Sequence, residues 1–124
     1  FKRSLKGRKD VPTYTRQLAT LLKAGIPLAQ SLSALIEQCQ TDDLEACFRD
    51  IRERITDGLS FAEALAYHPA YFDDLFVNMV KAGEAAGNLD GVLNRLAEYL
   101  QRQAQIRNKV AAAKKAGPVR RSKS

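Results

Sequence analysis

The sequence has no tryptophan, one histidine, one methionine and two cysteines. Two cysteines cannot build the disulfide framework that holds small secreted knots together. Even with the single imidazole added, they are too few for a structural zinc site of four Cys and His ligands. Four prolines and seven glycines in 124 residues exclude collagen-like and Pro/Gly-rich low-complexity classes. No apolar run approaches the ~18 residues that a membrane-spanning helix requires. The basic start is not followed by the apolar stretch of a secretory signal. What is present suits one folded domain: 45% hydrophobic and 27% charged residues, enough for a single core at this length.

Acidic residues are also scarce at both ends. The formal charge is +6, but residues 1–10 and 114–124 hold ten of the 20 bases and only one of the 14 acids. Residues 11–113 therefore carry ten bases against thirteen acids, a net of −3. The sequence divides into a basic N-terminal tail (1–10), a mildly acidic body (11–113) and a basic C-terminal tail (114–124). Basic ends of this kind fit phosphate contacts to a nucleic acid. They also fit the cytoplasmic side of a membrane, where Lys and Arg accumulate. The end Ala116-Gly117-Pro118-Val119-Arg120-Arg121 further reads as a fusion remnant or truncation point.

The body reads as helix throughout. After Pro12, Tyr14, Leu18, Leu21 and Leu22 lie on one face of a 3.6-residue period, and Gly25 stops that helix. Pro27 opens a second helix with Leu28, Leu32, Leu35, Ile36 and Cys39 on one face. Asp42 and Glu45 have capping-box spacing and start a third, carrying Leu44, Cys47, Phe48, Ile51 and Ile55 to a stop at Gly58. Ser60 and Glu63 form a second capping box before Phe61, Ala64 and Leu65. His68-Pro69 ends that short helix, because the residue before proline is pushed out of the helical region. Asp73 and Asp74 open a fifth helix that Gly87 stops. Asn88 caps a sixth, through Leu89, Val92, Leu93, Leu96, Tyr99, Leu100, Ile106 and Val110, about 35 Å long. Three glycine corners joining antiparallel helices predict a compact all-α bundle of six helices with a long last one.

Candidate chemistry is sparse. There is no nucleotide-binding loop, HExxH, GxSxG or GxGxxG pattern. His68 sits beside a proline in a turn and reads as solvated. Cys39 and Cys47 fall on apolar helix faces and read as buried, inert thiols. Asp73, Asp74, Glu84, Asp90 and Glu98 read as dipole-matched or solvated acids, with a cation held at an interface by Asp90 and Glu98 left open. Gly83 lies inside the fifth helix, where glycine costs about 1 kcal/mol against alanine. Close helix approach would explain it, and Glu84 beside it reads as an exposed acid.

Tyr14-Thr15-Arg16-Gln17-Leu18-Ala19-Thr20-Leu21-Leu22 and Ala24-Gly25-Ile26-Pro27-Leu28 nevertheless resemble the opening of a cytoplasmic domain in the type II secretion F protein family. Gly58-Leu59-Ser60-Phe61-Ala62-Glu63-Ala64-Leu65 is similar to that family's middle motif, and His68-Pro69 followed by Phe72 matches next. Val80-Lys81-Ala82-Gly83-Glu84, Gly87 and Leu89-Asp90 resemble its late signature. The resemblance runs in order over about residues 11–112. It implies the first cytoplasmic domain of a polytopic inner-membrane platform protein for type IV pili or type II secretion. It further implies a homodimer or higher oligomer without catalysis or cofactor, coupling an assembly ATPase to pilin or pseudopilin subunits and other inner-membrane assembly proteins. No specific nucleic acid is expected on that reading. The alternative is a small helical nucleic-acid-binding domain that uses the basic tails.

Overall fold

A computed structural model describes residues 5–123, with side chains through residue 110. The readings placed on residues 1–4 and on the side chains of 114–124 lie outside the described residues. Six α-helices follow one another: α1 (Val11–Lys23), α2 (Leu28–Gln38), α3 (Asp42–Thr56), α4 (Phe61–Leu65), α5 (Asp74–Ala86) and α6 (Leu89–Lys123). A 3-10 turn, Lys6–Asp10, precedes them. Each helix packs on its neighbour in sequence, and α6 closes the ring by lying along α1 in the most extensive contact of the fold.

The three corners share one hydrogen-bond pattern. At the end of α3, the Gly58 N–H donates to the Ile55 carbonyl and the Leu59 N–H to that of Arg54. Gly58 has φ of 110°, which a side chain would make costly. The same pair of bonds recurs around Gly25 and Gly87. This repetition sets the tight antiparallel turns, so the apolar faces of successive helices meet in one core.

That core joins residues from every helix. Leu32, Leu35, Leu44, Ile51, Leu65, Leu93 and Leu96 are fully buried, each contributing on the order of 2 kcal/mol from area removed from water. Tyr14 meets Phe48 edge-on at 5.9 Å between ring centroids, and Phe72 meets Phe76 at 4.8 Å.

Local details depart from the sequence reading at two points. Thr41, not Asp42, is the N-cap of α3. Asp42 is already helical, and Glu45 pairs with Arg49 one turn on at 2.7 Å instead of bonding back to the cap. Residues 6–10, grouped with the basic end, form a turn that packs on α3 and buries Gly7. A Cβ at Gly7 would fall 2.4 Å from Thr41 Oγ1 and 2.5 Å from Leu44 Cβ. The Ser60–Glu63 capping box forms in full, and the Asp73 carboxylate accepts from the Phe76 N–H at 2.9 Å.

Candidate functional site

The motif residues gather in three places. The first is the corner where α4, α5 and α6 meet. Gly83 is buried there, and a Cβ on it would sit 2.9 Å from Val92 Cγ2. The missing side chain lets α5 and α6 approach until Val92 fills the notch. The next residue, Glu84, is half-buried rather than exposed. Its carboxylate accepts from the Phe61 N–H at 2.9 Å and the Ala62 N–H at 3.2 Å. Two segments far apart in sequence, 58–65 and 80–89, are thus fastened together. A helix of five residues cannot hold itself in water. Here the first turn of α4 is satisfied twice, by its own Ser60–Glu63 box and by Glu84 from α5. The one-dimensional pattern hid this role because the partner lies 23 residues away.

The second place is the outer edge of α3. His68 is half-buried, and its Nε2 lies 2.6 Å from Asp50 Oδ2. Arg54 Nε donates to the same oxygen at 2.7 Å, while its guanidinium covers the Tyr67 ring at 3.6 Å. The hydrogen bond from Arg54 holds the Asp50 carboxyl below its ordinary range despite partial burial, with His68 adding to it. The loop bearing His68 and Pro69 is therefore tied to α3, which corrects the solvated reading. Phe72 follows into the core. Asp43 makes a second tie nearby. Its carboxylate accepts from the Gly7 N–H at 3.0 and 3.1 Å and from the Tyr71 hydroxyl at 2.7 Å. Burial pushes this carboxyl up, but the bonds from Tyr71 and Gly7 outweigh burial and hold it below its usual range.

The third place is the α1–α6 seam. Leu18 enters the core, and Arg16 reaches across to α6, donating to Gln101 Oε1 at 2.7 Å and to Asn94 Oδ1 at 3.1 Å. Gln17 Oε1 is buried without a hydrogen-bond donor among the described residues. Gly25, Pro27 and Leu28 make the first corner, and Leu89 packs against the core.

The remaining candidates are dispersed. Cys47 is buried and Cys39 half-buried. Burial, with nearby carboxylates adding, pushes their thiols up to about 12 and about 11, so both are thiols at neutral pH. Asp90 is half-buried and Glu98 exposed. Among the described residues, no three His, Cys, Asp or Glu side chains gather as metal ligands. No described helix is long and apolar enough to cross a membrane.

The order of these motifs is shared with other proteins. A family model described as type II secretion system (T2SS), protein F, matches residues 14–116. A type IV pilus assembly protein PilC of Myxococcus xanthus is 40% identical over 105 residues, covering 85% of this chain and 25% of that protein. A type II secretion system protein F of Vibrio cholerae is 39% identical over 113 residues, covering 91% and 28%. The PilC protein of Thermus thermophilus is 39% identical over 107 residues, covering 86% and 26%. The chain spans about a quarter of the length of these relatives, and pilus and secretion proteins match it at near-equal identity. With the six-helix bundle and the Gly83–Glu84 corner in place, the chain belongs to the type II secretion system protein F family.

Proposed function

We propose that this chain is a non-catalytic cytoplasmic domain of an inner-membrane platform protein, the first of two such domains. In this role it couples a cytoplasmic assembly ATPase to pilin or pseudopilin subunits and to other inner-membrane assembly proteins. Residues 11–113 form the working unit, with the turn at residues 6–10 packed on α3. The observation that carries the reading is the family match over residues 14–116, with relatives named for pilus assembly and for type II secretion.

The mechanism is mechanical. A rod transmits displacement only if its base is clamped. The base of α6 is held on one side by the Gly83 notch of α5 and on the other by α1. The whole of α6, its clamped base included, has 35 residues and spans about 50 Å. Tyr99, Ile106 and Val110 are exposed along this helix. They repeat at intervals of seven and four residues, a seam that suits a homodimer or higher oligomer.

The test uses a Gly83→Leu change in the full-length parent protein. Overpacking the notch should abolish pilus assembly or secretion and lower the melting temperature, with turnover by the isolated ATPase unchanged. Normal assembly by the variant, with an unchanged melting curve, would count against the clamp.

A further inference from the structure

We propose that the basic end of this domain rests on an anionic phospholipid surface. Arg8 from the turn before α1 and Arg102, Arg107 and Lys109 from the outer part of α6 meet the headgroups. Ile106 and Val110 enter the layer beneath them. The inference goes beyond the coupling role, and its test needs no pilus or secretion assay.

Charge is divided unevenly along the chain. After Glu98 the sequence has eight bases and no acid. Residues 1–10 and 102–124 together hold thirteen bases against one acid, whereas residues 11–101 hold seven bases against thirteen acids. The fold brings the turn before α1 and the outer part of α6 to one end of the bundle, where Arg8 and Arg107 line the same cleft of about 190 Å³. Asp73 is the one acid on its wall, and its carboxylate is engaged by the Phe76 N–H. Lys6, Arg8, Lys9, Arg102, Arg107 and Lys109 are all exposed, and none forms an ion pair among the described residues. An anionic surface attracts this end and repels the acidic remainder, so it sets the orientation of the domain as well as its position.

The apolar residues decide between a membrane and a nucleic acid. Ile106 and Val110 are large, apolar and exposed. By the helical period, Arg102 and Lys109 fall within about 60° of Ile106, so bases and apolar side chains share one face of α6. A nucleic acid backbone takes the bases but leaves Ile106 and Val110 in water. A bilayer surface takes both, because headgroup phosphates pair with Arg and Lys while apolar side chains reach the acyl boundary below. No described helix is long and apolar enough to cross a membrane, so the contact is one of lying on the surface. A second copy is the other cover that this stripe allows, and the experiment separates the two.

The experiment measures binding of the 124-residue chain to three probes at low and high salt. These are vesicles of equal phosphatidylglycerol and phosphatidylcholine, vesicles of phosphatidylcholine alone, and duplex DNA. One variant combines Arg102→Gln, Arg107→Gln and Lys109→Gln, and a second combines Ile106→Ser and Val110→Ser. All five side chains are exposed, so circular dichroism should show the bundle intact in both. The unaltered chain should bind the charged vesicles and not the neutral ones. The glutamine changes should weaken that binding by about a hundredfold, and added salt should weaken it further. The serine changes should weaken it by about tenfold and leave DNA binding unchanged. No binding to charged vesicles, equal binding to neutral ones, undiminished binding by the glutamine variant, or serine changes without effect on vesicle binding would overturn the proposal. So would self-association that the serine changes abolish and charged vesicles do not disturb, which would assign the stripe to a second copy. Those outcomes leave the platform reading standing, since that reading fails only through normal assembly by the Gly83→Leu protein.

Discussion

The base of α6 and its outer part belong to one helix but meet different surroundings. At the base, Val92, Leu93, Leu96 and Ala97 are buried between α5 and α1, and even the absent side chain of Gly83 is matched by Val92. Further out, Ile106 and Val110 keep the same apolar rhythm yet are 57% and 53% exposed. A second contrast runs alongside. Around α4 the carboxylates of Glu84 and Glu63 are spent on backbone N–H groups of this chain. On the α1 face, Arg16 and Gln17 have hydrogen-bonding capacity left over. Around α4 the carboxylates find partners within the chain, whereas at the α1 face one buried oxygen has none among the described residues. The helix period alone predicts an apolar stripe from Leu89 to Val110, and only the positions of α5 and α1 decide where the stripe is used.

The sharpest way to break this contrast is to damage the completed region. Leu93→Ala deletes a side chain with no exposed surface and should cost about 3–4 kcal/mol. In a chain of this size that lowers the melting temperature by on the order of 10–15 °C, measured by circular dichroism. A loss below about 1 kcal/mol would mean that the base of α6 is not clamped. Next in size is Glu84→Ala, which strips two bonds from the start of α4 and should cost about 1–2 kcal/mol. Glu84→Gln keeps an acceptor oxygen and should recover about half of that. Hydrogen exchange should show the Phe61 and Ala62 amides losing protection first.

The helices and their corners were legible because their causes are local. Gly25, Gly58 and Gly87 stop helices through bonds spanning a few residues, and Ser60 with Glu63 signals a cap within one turn. Gly83 was legible as a notch because glycine has few other uses inside a helix. The role of Glu84 was hidden because an acid next to a notch looks the same whether it faces water or another helix's first turn. His68 was hidden for a similar reason, since Asp50 approaches from 18 residues away. The family was legible from motif order, whereas the tie from Arg16 to α6 was not, because Asn94 and Gln101 lie 78 and 85 residues away. Arg16 and Gln17 read as motif residues, and only packing shows which of their bonds remain unused.

Asp43 offers a subtler test, because it ties the turn before α1 and the loop after α4 to α3 through one carboxylate. Its folded-state carboxyl titrates below the ordinary value. The tie is therefore fully present above the usual Asp range and is lost as pH falls below about 4. Asp43→Asn should lower stability by about 1 kcal/mol at pH 7 and flatten the acid limb of the stability profile. If the variant kept the full acid limb, the dependence would belong to Asp50 or to other carboxylates.

The smallest expected effect carries the most weight for the outer part of α6. Ile106→Ala removes exposed surface that no other helix covers within the chain, so its melting temperature should stay within about 0.5 kcal/mol equivalent of the original. The same size of apolar truncation at Leu93 is expected to be several times more costly, although both residues sit on one helix and follow one period. Should Ile106→Ala destabilise the dilute chain by 2 kcal/mol or more, the outer stripe would already be covered by something in solution. Repeating the melt over a hundredfold range of protein concentration then identifies the cover: a melting temperature that rises with concentration assigns it to a second copy. A small, concentration-independent effect instead leaves Ile106 and Val110 as apolar surface that nothing covers in the isolated chain.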